Sequence, residues 1–269
     1  MAALPVLAFA AWDYPVSKTV GQTDDYFGTK VADPYRWLED LDSPDTKAWV
    51  DAQSRRTGDF LAKLPQRDAI RQRLLDLTNY PRFSLPAKEG GKYFYTHNTG
   101  LQNQSPLFVK DSLAAEGRLL LDPNTLAKDG TVALSGFAAS EDGQWLAYGT
   151  ATAGSDWNEF HVRSVATGQD TGDLLRWVKF SGMSWTKDSK GFFYSRYPEP
   201  QKKGNATFSD LDHQKIYYHR LGTSQDADAL VYESPDFPKR GWGGVVTDDG
   251  RYLLIYGSEG TDPRNRLYY

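Results

Sequence analysis

The strongest constraint on this chain is an internal repeat. Four times, a polar turn rich in Asp, Gly and Lys runs directly into a short aromatic strand: Glu89 to Tyr95, Glu141 to Tyr148, Lys187 to Tyr194 and Asp248 to Tyr256. Asp and Gly supply the tight turn, whereas aromatic and branched residues favour the extended strand after it. A second apolar strand follows each: Leu107 to Val109, Phe160 to Arg163, Ile216 to His219 and Leu267 to Tyr269. Short strands recurring about every fifty residues are the sequence pattern of β-propeller blades. The third unit is lengthened by Tyr197 to Asp212, a Pro-, Lys- and Gly-containing insertion expected to form a mobile loop and a candidate gate at a blade margin.

Upstream of Tyr80 the pattern is helical. Asp33-Pro34 and Ser43-Pro44 each place a capping residue before a proline at the first helical position. Trp49, Phe60 and Leu64 recur at helical spacing after the second start, and Gln66 to Thr78 predicts a third helix with Ile70, Leu74 and Leu77 on one side. The chain therefore divides into residues 1–13, a tail or truncated signal peptide; 14–79, a helical segment; and 80–269, a β-propeller part. The expected fold is mainly β, an incomplete propeller of about three and a half to four blades behind a short α-helical segment. The last unit stops in mid-blade, so the ring is expected to be open and the chain a fragment. A complete four-bladed propeller is the alternative.

Composition narrows the function. Lys plus Arg number 31 against 35 Asp plus Glu, a formal charge of −4, so no basic excess exists to neutralise nucleic-acid phosphates. There is no cysteine, which removes thiolate catalysis and Cys-ligated metal. The apolar start, Ala2 to Trp12, is far short of the ~20 residues a membrane helix needs. His97, His161, His213 and His219 have no metal-ligand spacing, and His161 and His219, on predicted strands, read as surface or hydrogen-bonded imidazoles. Gly149 to Gly154 is followed by Ser155-Asp156 where a phosphate loop needs Lys-Ser or Lys-Thr. No Gly-x-Ser-x-Gly elbow occurs. From the residues alone, the propeller has no active site of its own, and no metal or cofactor is expected.

Specific strings add a resemblance. Tyr26-Phe27-Gly28 followed by Val31 to Asp40, then Asn98 to Gln104, Leu121 to Asn124 with Lys128 to Leu134, and Gly154 to Trp157 occur in the order seen in prolyl oligopeptidases. Trp177 to Ser181, His213 to His219 and Glu259 to Pro263 continue it, so from about Tyr14 to the last residue the chain resembles the N-terminal part of that family. The resemblance implies a serine-type endopeptidase that cuts short peptides on the carboxyl side of proline. A seven-bladed propeller would cap an α/β-hydrolase domain onto which the N-terminal helices pack. It places the Ser, Asp and His of the catalytic triad beyond Tyr269, so no catalytic residue is expected in this chain and the chain alone is expected to be inactive.

Three substrate-facing positions are implied. Phe180 matches a phenylalanine lining the pocket for the third substrate residue upstream of the cut. Thr261 stands where well-known members carry cysteine. Arg240 to Gly244 departs around a methionine; Trp242 is a candidate to fill that space, with the replacing residue left open. The implied partners are short peptides and the hydrolase domain, with no nucleic acid and no membrane. The full-length protein is expected to be a monomer, cytoplasmic, or periplasmic if the start is a truncated signal peptide.

A freestanding propeller acting as a binding or scaffold module is the alternative function. The helical segment discriminates, because a segment that docks on a second domain needs an apolar face. Part of the face formed by Trp37, Trp49, Phe60 and Leu64 is therefore expected to be exposed.

Overall fold

The repeated turns share one hydrogen-bond design. In a computed structural model, which describes residues 13–199 and 211–269, the turns at 140–145, 186–191 and 247–252 each begin with a hydroxyl that donates to an aspartate two residues on. Ser140 Oγ reaches Asp142 at 2.6 Å, Thr186 Oγ1 reaches Asp188 at 2.7 Å and Thr247 Oγ1 reaches Asp249 at 2.6 Å. Each aspartate then accepts the backbone N–H two residues further, from Gln144, Lys190 and Arg251. Between these bonds sits a residue of positive φ: Gly143, Ser189 or Gly250. Three copies of one local solution confirm that the repeat is structural.

Each turn joins the first two strands of a sheet. The first sheet runs β3 (Arg82–Phe83), β5 (Lys92–Asn98), β6 (Leu107–Lys110) and β7 (Arg118–Leu121), with β4 (Ala87–Glu89) also paired to β5. The second comprises β8 (Val132–Ala139), β9 (Trp145–Thr152), β10 (Asn158–Ser164) and β11 (Asp170–Val178). The third comprises β12 (Ser184–Trp185), β13 (Gly191–Arg196), β14 (Lys215–Arg220) and β15 (Ala229–Tyr232). The fourth has β16 (Arg240–Val246), β17 (Leu253–Glu259) and β18 (Arg266–Tyr268). All pairings are antiparallel between neighbours, and the sheets do not close into a ring.

The core lies between successive sheets. Phe94, Leu107, Val109 and Leu121 of the first sheet meet Leu146 and Tyr148 of the second. Phe160, Val162, Leu175 and Val178 of the second meet Trp185, Phe192 and Tyr194 of the third. Ile216 of the third meets Trp242 and Ile255 of the fourth. Strand periodicity makes this work: on β9, Leu146 and Tyr148 point to one neighbour and Ala147 to the other, so a single strand feeds two seams. The result is a mainly β propeller part, as the repeat predicts.

The chain divides into two compact units that part between Leu74 and Leu75. The first unit holds a hairpin of β1 (Thr23–Tyr26) and β2 (Thr29–Ala32), turned by Phe27 and Gly28 at positive φ. Ser43 caps α1 (Pro44–Ala62), its Oγ accepting the Thr46 N–H at 3.1 Å. The last predicted helix is α2 (Arg67–Thr78). The expected helix start at Asp33-Pro34 is corrected: only a 3-10 turn forms at Arg36–Glu39. Asp33 instead accepts the Arg36 Nε–H at 2.6 Å, and Arg36 also pairs with Asp24 of the hairpin, which holds the segment in a compact turn.

Trp37 and Trp49 are half-buried, donating to the Lys18 carbonyl and Ser17 Oγ respectively. Phe60 and Leu64 are exposed, as are Ile70, Leu74 and Leu77 along α2. Part of the apolar face is therefore open. Residues 1–12 and most of the 197–212 insertion, with the expectations attached to them, lie outside the described residues.

Candidate functional site

The link from β11 to β12 leaves Trp177 and Phe180 in the left-handed region, at φ +61° and +54°. Side chains with a Cβ adopt that region only when their surroundings impose it, and such strain concentrates where a side chain must be presented in one direction. Phe180 is 67% exposed although aromatic, while Lys179 beside it is buried. The Lys179 ammonium lies 5.1 Å from the Phe180 ring centre, 5.4 Å from that of Trp157 and 3.5 Å from the Asp156 carboxylate. Two π-faces and a carboxylate beside the ammonium offset the burial of the Lys179 side chain.

Phe180 forms one wall of a cleft of about 330 Å³ that Trp242, Tyr197, Gln214 and Tyr256 also line. Trp242 comes from the start of β16 and is 3% exposed, packed 4.8 Å from the Tyr232 ring. Glycines make room for these rings. A Cβ on Gly243 would come within 2.2 Å of the Tyr256 ring, and one on Gly257 within 2.3 Å of the Trp242 ring. The sequence-predicted positions Phe180 and Trp242 thus share one cleft. Thr261 is exposed in the turn after β17, beside Gly260, which lines the cleft, but Thr261 does not line it. Among the described residues the lining contains no histidine, aspartate or glutamate and one charged side chain, Lys239, so the cleft suits binding of an apolar group and has no metal-ligand set. A second cleft of about 450 Å³, lined by Trp157, Asn158, Arg176 and Trp177, sits along the end of β11.

A buried charge cluster was not legible in the sequence. His219 on β14 is completely buried, with Nδ1 2.7 Å from Asp228 and Nε2 2.9 Å from Asp173 of the second sheet. Tyr194 donates to the other oxygen of Asp228 at 2.6 Å, and Thr171 Oγ1 and the Gly222 N–H serve Asp173. Burial alone would push the imidazole pKa down; the hydrogen bonds and charges of the two carboxylates prevail and raise it to about 9. Burial likewise opposes ionisation of Asp173, and the bonds from His219, Thr171 and Gly222 outweigh it, holding that carboxyl below its usual range. Both imidazole nitrogens are engaged, so the cluster clamps two sheets and offers no free lone pair. Among the described residues no group of His, Asp and Glu is arranged to hold a metal ion, and no helix is long and apolar enough to cross a membrane.

Over residues 14–269 the sequence matches the family model described as prolyl oligopeptidase, N-terminal beta-propeller domain. The chain belongs to the prolyl oligopeptidase family. Among curated relatives, a prolyl endopeptidase from Elizabethkingia meningoseptica is 43% identical over 255 residues, covering 95% of this chain and 36% of the relative. Prolyl oligopeptidase A from Galerina marginata is 36% identical over 286 residues, covering 95% and 38%. Among solved structures, prolyl oligopeptidase B from Galerina marginata bound to a 35mer hydrolysis and macrocyclization substrate matches with a TM-score of 0.80 at 32% identity, over 95% of this chain and 38% of that one. A structure from a study of two prolyl endopeptidases and the role of their inter-domain dynamics matches with a TM-score of 0.65 at 44% identity, over 94% and 36%. The chain thus spans little more than a third of the length of these curated relatives.

Proposed function

We propose that this chain is the N-terminal portion of a serine-type prolyl oligopeptidase that hydrolyses short proline-containing peptides on the carboxyl side of proline. In this proposal the triad resides in an α/β-hydrolase domain outside the chain. Residues 14–79 dock on that domain and residues 80–269 form the N-terminal part of a propeller that gates access by size. Phe180 and Trp242 contact substrate, with Thr261 at the margin. The observation that carries the proposal is the Phe180–Trp242 cleft: aromatic, open, and with no histidine, aspartate or glutamate in its described lining, where Lys239 is the one charged side chain. Such a surface recognises a side chain and leaves the bond-breaking to other residues. The open face of α2 favours docking over a freestanding module, because Ile70, Leu74 and Leu77 lie along one stripe and are all more than half exposed.

The test compares the 269-residue chain with the product of the complete reading frame on a chromogenic Gly-Pro peptide. The complete product is expected to cleave after proline and to be blocked by a serine-directed phosphonate, and the chain alone to be inert. Hydrolysis by the chain alone, or a complete product unable to cut after proline, overturns the proposal.

A further inference from the structure

The aromatic walls of the cleft belong to segments far apart in sequence, one in the β11–β12 link and one at the start of β16. The sheet between them ties the two together through two buried side chains. Gln214, 2% exposed and one residue before β14, uses both ends of its amide. Its Nε2 donates to the Lys179 carbonyl at 2.8 Å, and its Oε1 accepts the Trp242 N–H at 2.6 Å. Ser195 on β13, 1% exposed, donates from Oγ to the Trp242 carbonyl at 2.6 Å, and its own N–H is accepted by Ser181 Oγ at 2.7 Å. The residues on both sides of Phe180 are therefore held, and so are both backbone polar groups of Trp242. His213, at φ +64° with its N–H on the Pro238 carbonyl at 2.7 Å, fixes the backbone from which Gln214 departs.

We propose that Gln214 is a positioning residue that sets the distance and orientation between Phe180 and Trp242, so that the cleft is formed before a peptide arrives, with Ser195 securing the Trp242 side. The proposal rests on the cleft being a peptide-binding surface. A left-handed Phe180 does not persist unless its flanking peptide groups are fixed, and a buried amide bonded at both ends fixes them with defined geometry. A preformed site avoids the ordering cost that a collapsed or mobile pair of aromatic walls would impose on each binding event.

The experiment titrates N-acetyl-Phe-Gly-Pro-Ala-amide into the 269-residue chain and its variants, following affinity together with the backbone amide spectrum. Gln214→Asn keeps a buried amide that is one methylene too short to reach both partners, Gln214→Met keeps the length without either bond, and Ser195→Ala releases only the Trp242 carbonyl. Both Gln214 variants are expected to bind the peptide about tenfold more weakly and to move the amide resonances of Phe180 and Trp242. Ser195→Ala is expected to move the Gly243 amide, which follows the released carbonyl, and to leave Phe180 in place. General loss of stability does not produce that asymmetry. If Gln214→Met does not fold, Gln214→Asn decides. Binding by Gln214→Asn within about twofold of the parent, while Phe180→Ala binds more weakly, overturns the clamp and leaves the cleft proposal standing. Parent-like binding by Phe180→Ala overturns the cleft proposal and the clamp's role in it together.

Discussion

Ser189 occupies a left-handed corner, φ +55°, that Gly143 and Gly250 occupy in the equivalent turns of the sheets on either side. A serine is held there because its Oγ accepts the Asp142 N–H at 3.1 Å across the seam, so one side chain links two turns. Ser189→Ala keeps the strained backbone and loses the acceptor, and is expected to lower unfolding free energy by ~1–2 kcal/mol in urea titrations. Ser189→Gly loses the same bond but relieves the strain, and should stay within ~1 kcal/mol of the parent. Equal losses for the two variants would show that the left-handed corner carries no strain. At this scale the sequence exposed the turns because their chemistry is local, with donor and acceptor two residues apart. Phe180 and Trp242 became candidates only through strings shared with a known family. Gln214 and Ser195 carried no signal of their role, and His219 read only as a surface or hydrogen-bonded imidazole on a strand, without its carboxylates: each has partners on another segment of the chain.

Elements were legible where their own residues determine them. The Ser43-Pro44 start of α1 and the aromatic strands β5, β9, β13 and β17 follow from capping and alternation alone. Strands that depend on neighbours were not. Strand β12 has two residues, and Gly241, Gly243 and Gly244 deprive β16 of strand alternation, although Gly243 is a glycine so that the Tyr256 ring can cross it. The β1–β2 hairpin was also missed, its signal being only the Phe27-Gly28 pair at the turn. Helix α2 carries the element-scale prediction. Ile70 and Leu77 are exposed, so Ile70→Glu and Leu77→Glu should change the stability of the 269-residue chain by no more than ~0.5 kcal/mol in thermal melts. In the product of the complete reading frame the same changes place a charge where docking is proposed, and peptidase activity should fall severalfold. A strongly destabilised chain would mean that this stripe is part of the chain's own core; unchanged activity would mean that it docks on nothing.

The propeller part is a linear array of sheets, each sharing a core only with its neighbours, so its stability is a sum over seams. Among the described residues, the seam between the second and third sheets encloses a fully buried charged cluster, His219 between Asp173 and Asp228. Its charge state therefore tunes one junction of the array. The folded imidazole has a pKa raised to about 9 from an ordinary value of 6.5, so folding favours the protonated form. The associated stability is fully present below about pH 6.5 and is lost as pH rises through about 9, a change on the order of 3 kcal/mol. On the acid side, the lowered Asp173 contributes stability that is present above its ordinary value of 3.8 and lost as pH falls through its lower folded value. Urea titrations of the chain from pH 6 to pH 10 should accordingly show unfolding free energy declining across the alkaline window. His219→Gln, which cannot be charged, should be weaker at pH 6 and flatter through that window. The His219 ring proton resonances offer a direct check in the parent chain, and should report an imidazolium that persists above pH 8. A neutral ring at pH 7, or equal slopes for parent and variant, would mean that the surrounding hydrogen bonds do not hold the proton on the imidazole. In that event the seam would be held by its aromatic packing of Phe160, Trp185 and Phe192 alone, with the cluster acting as a neutral hydrogen-bonded spacer.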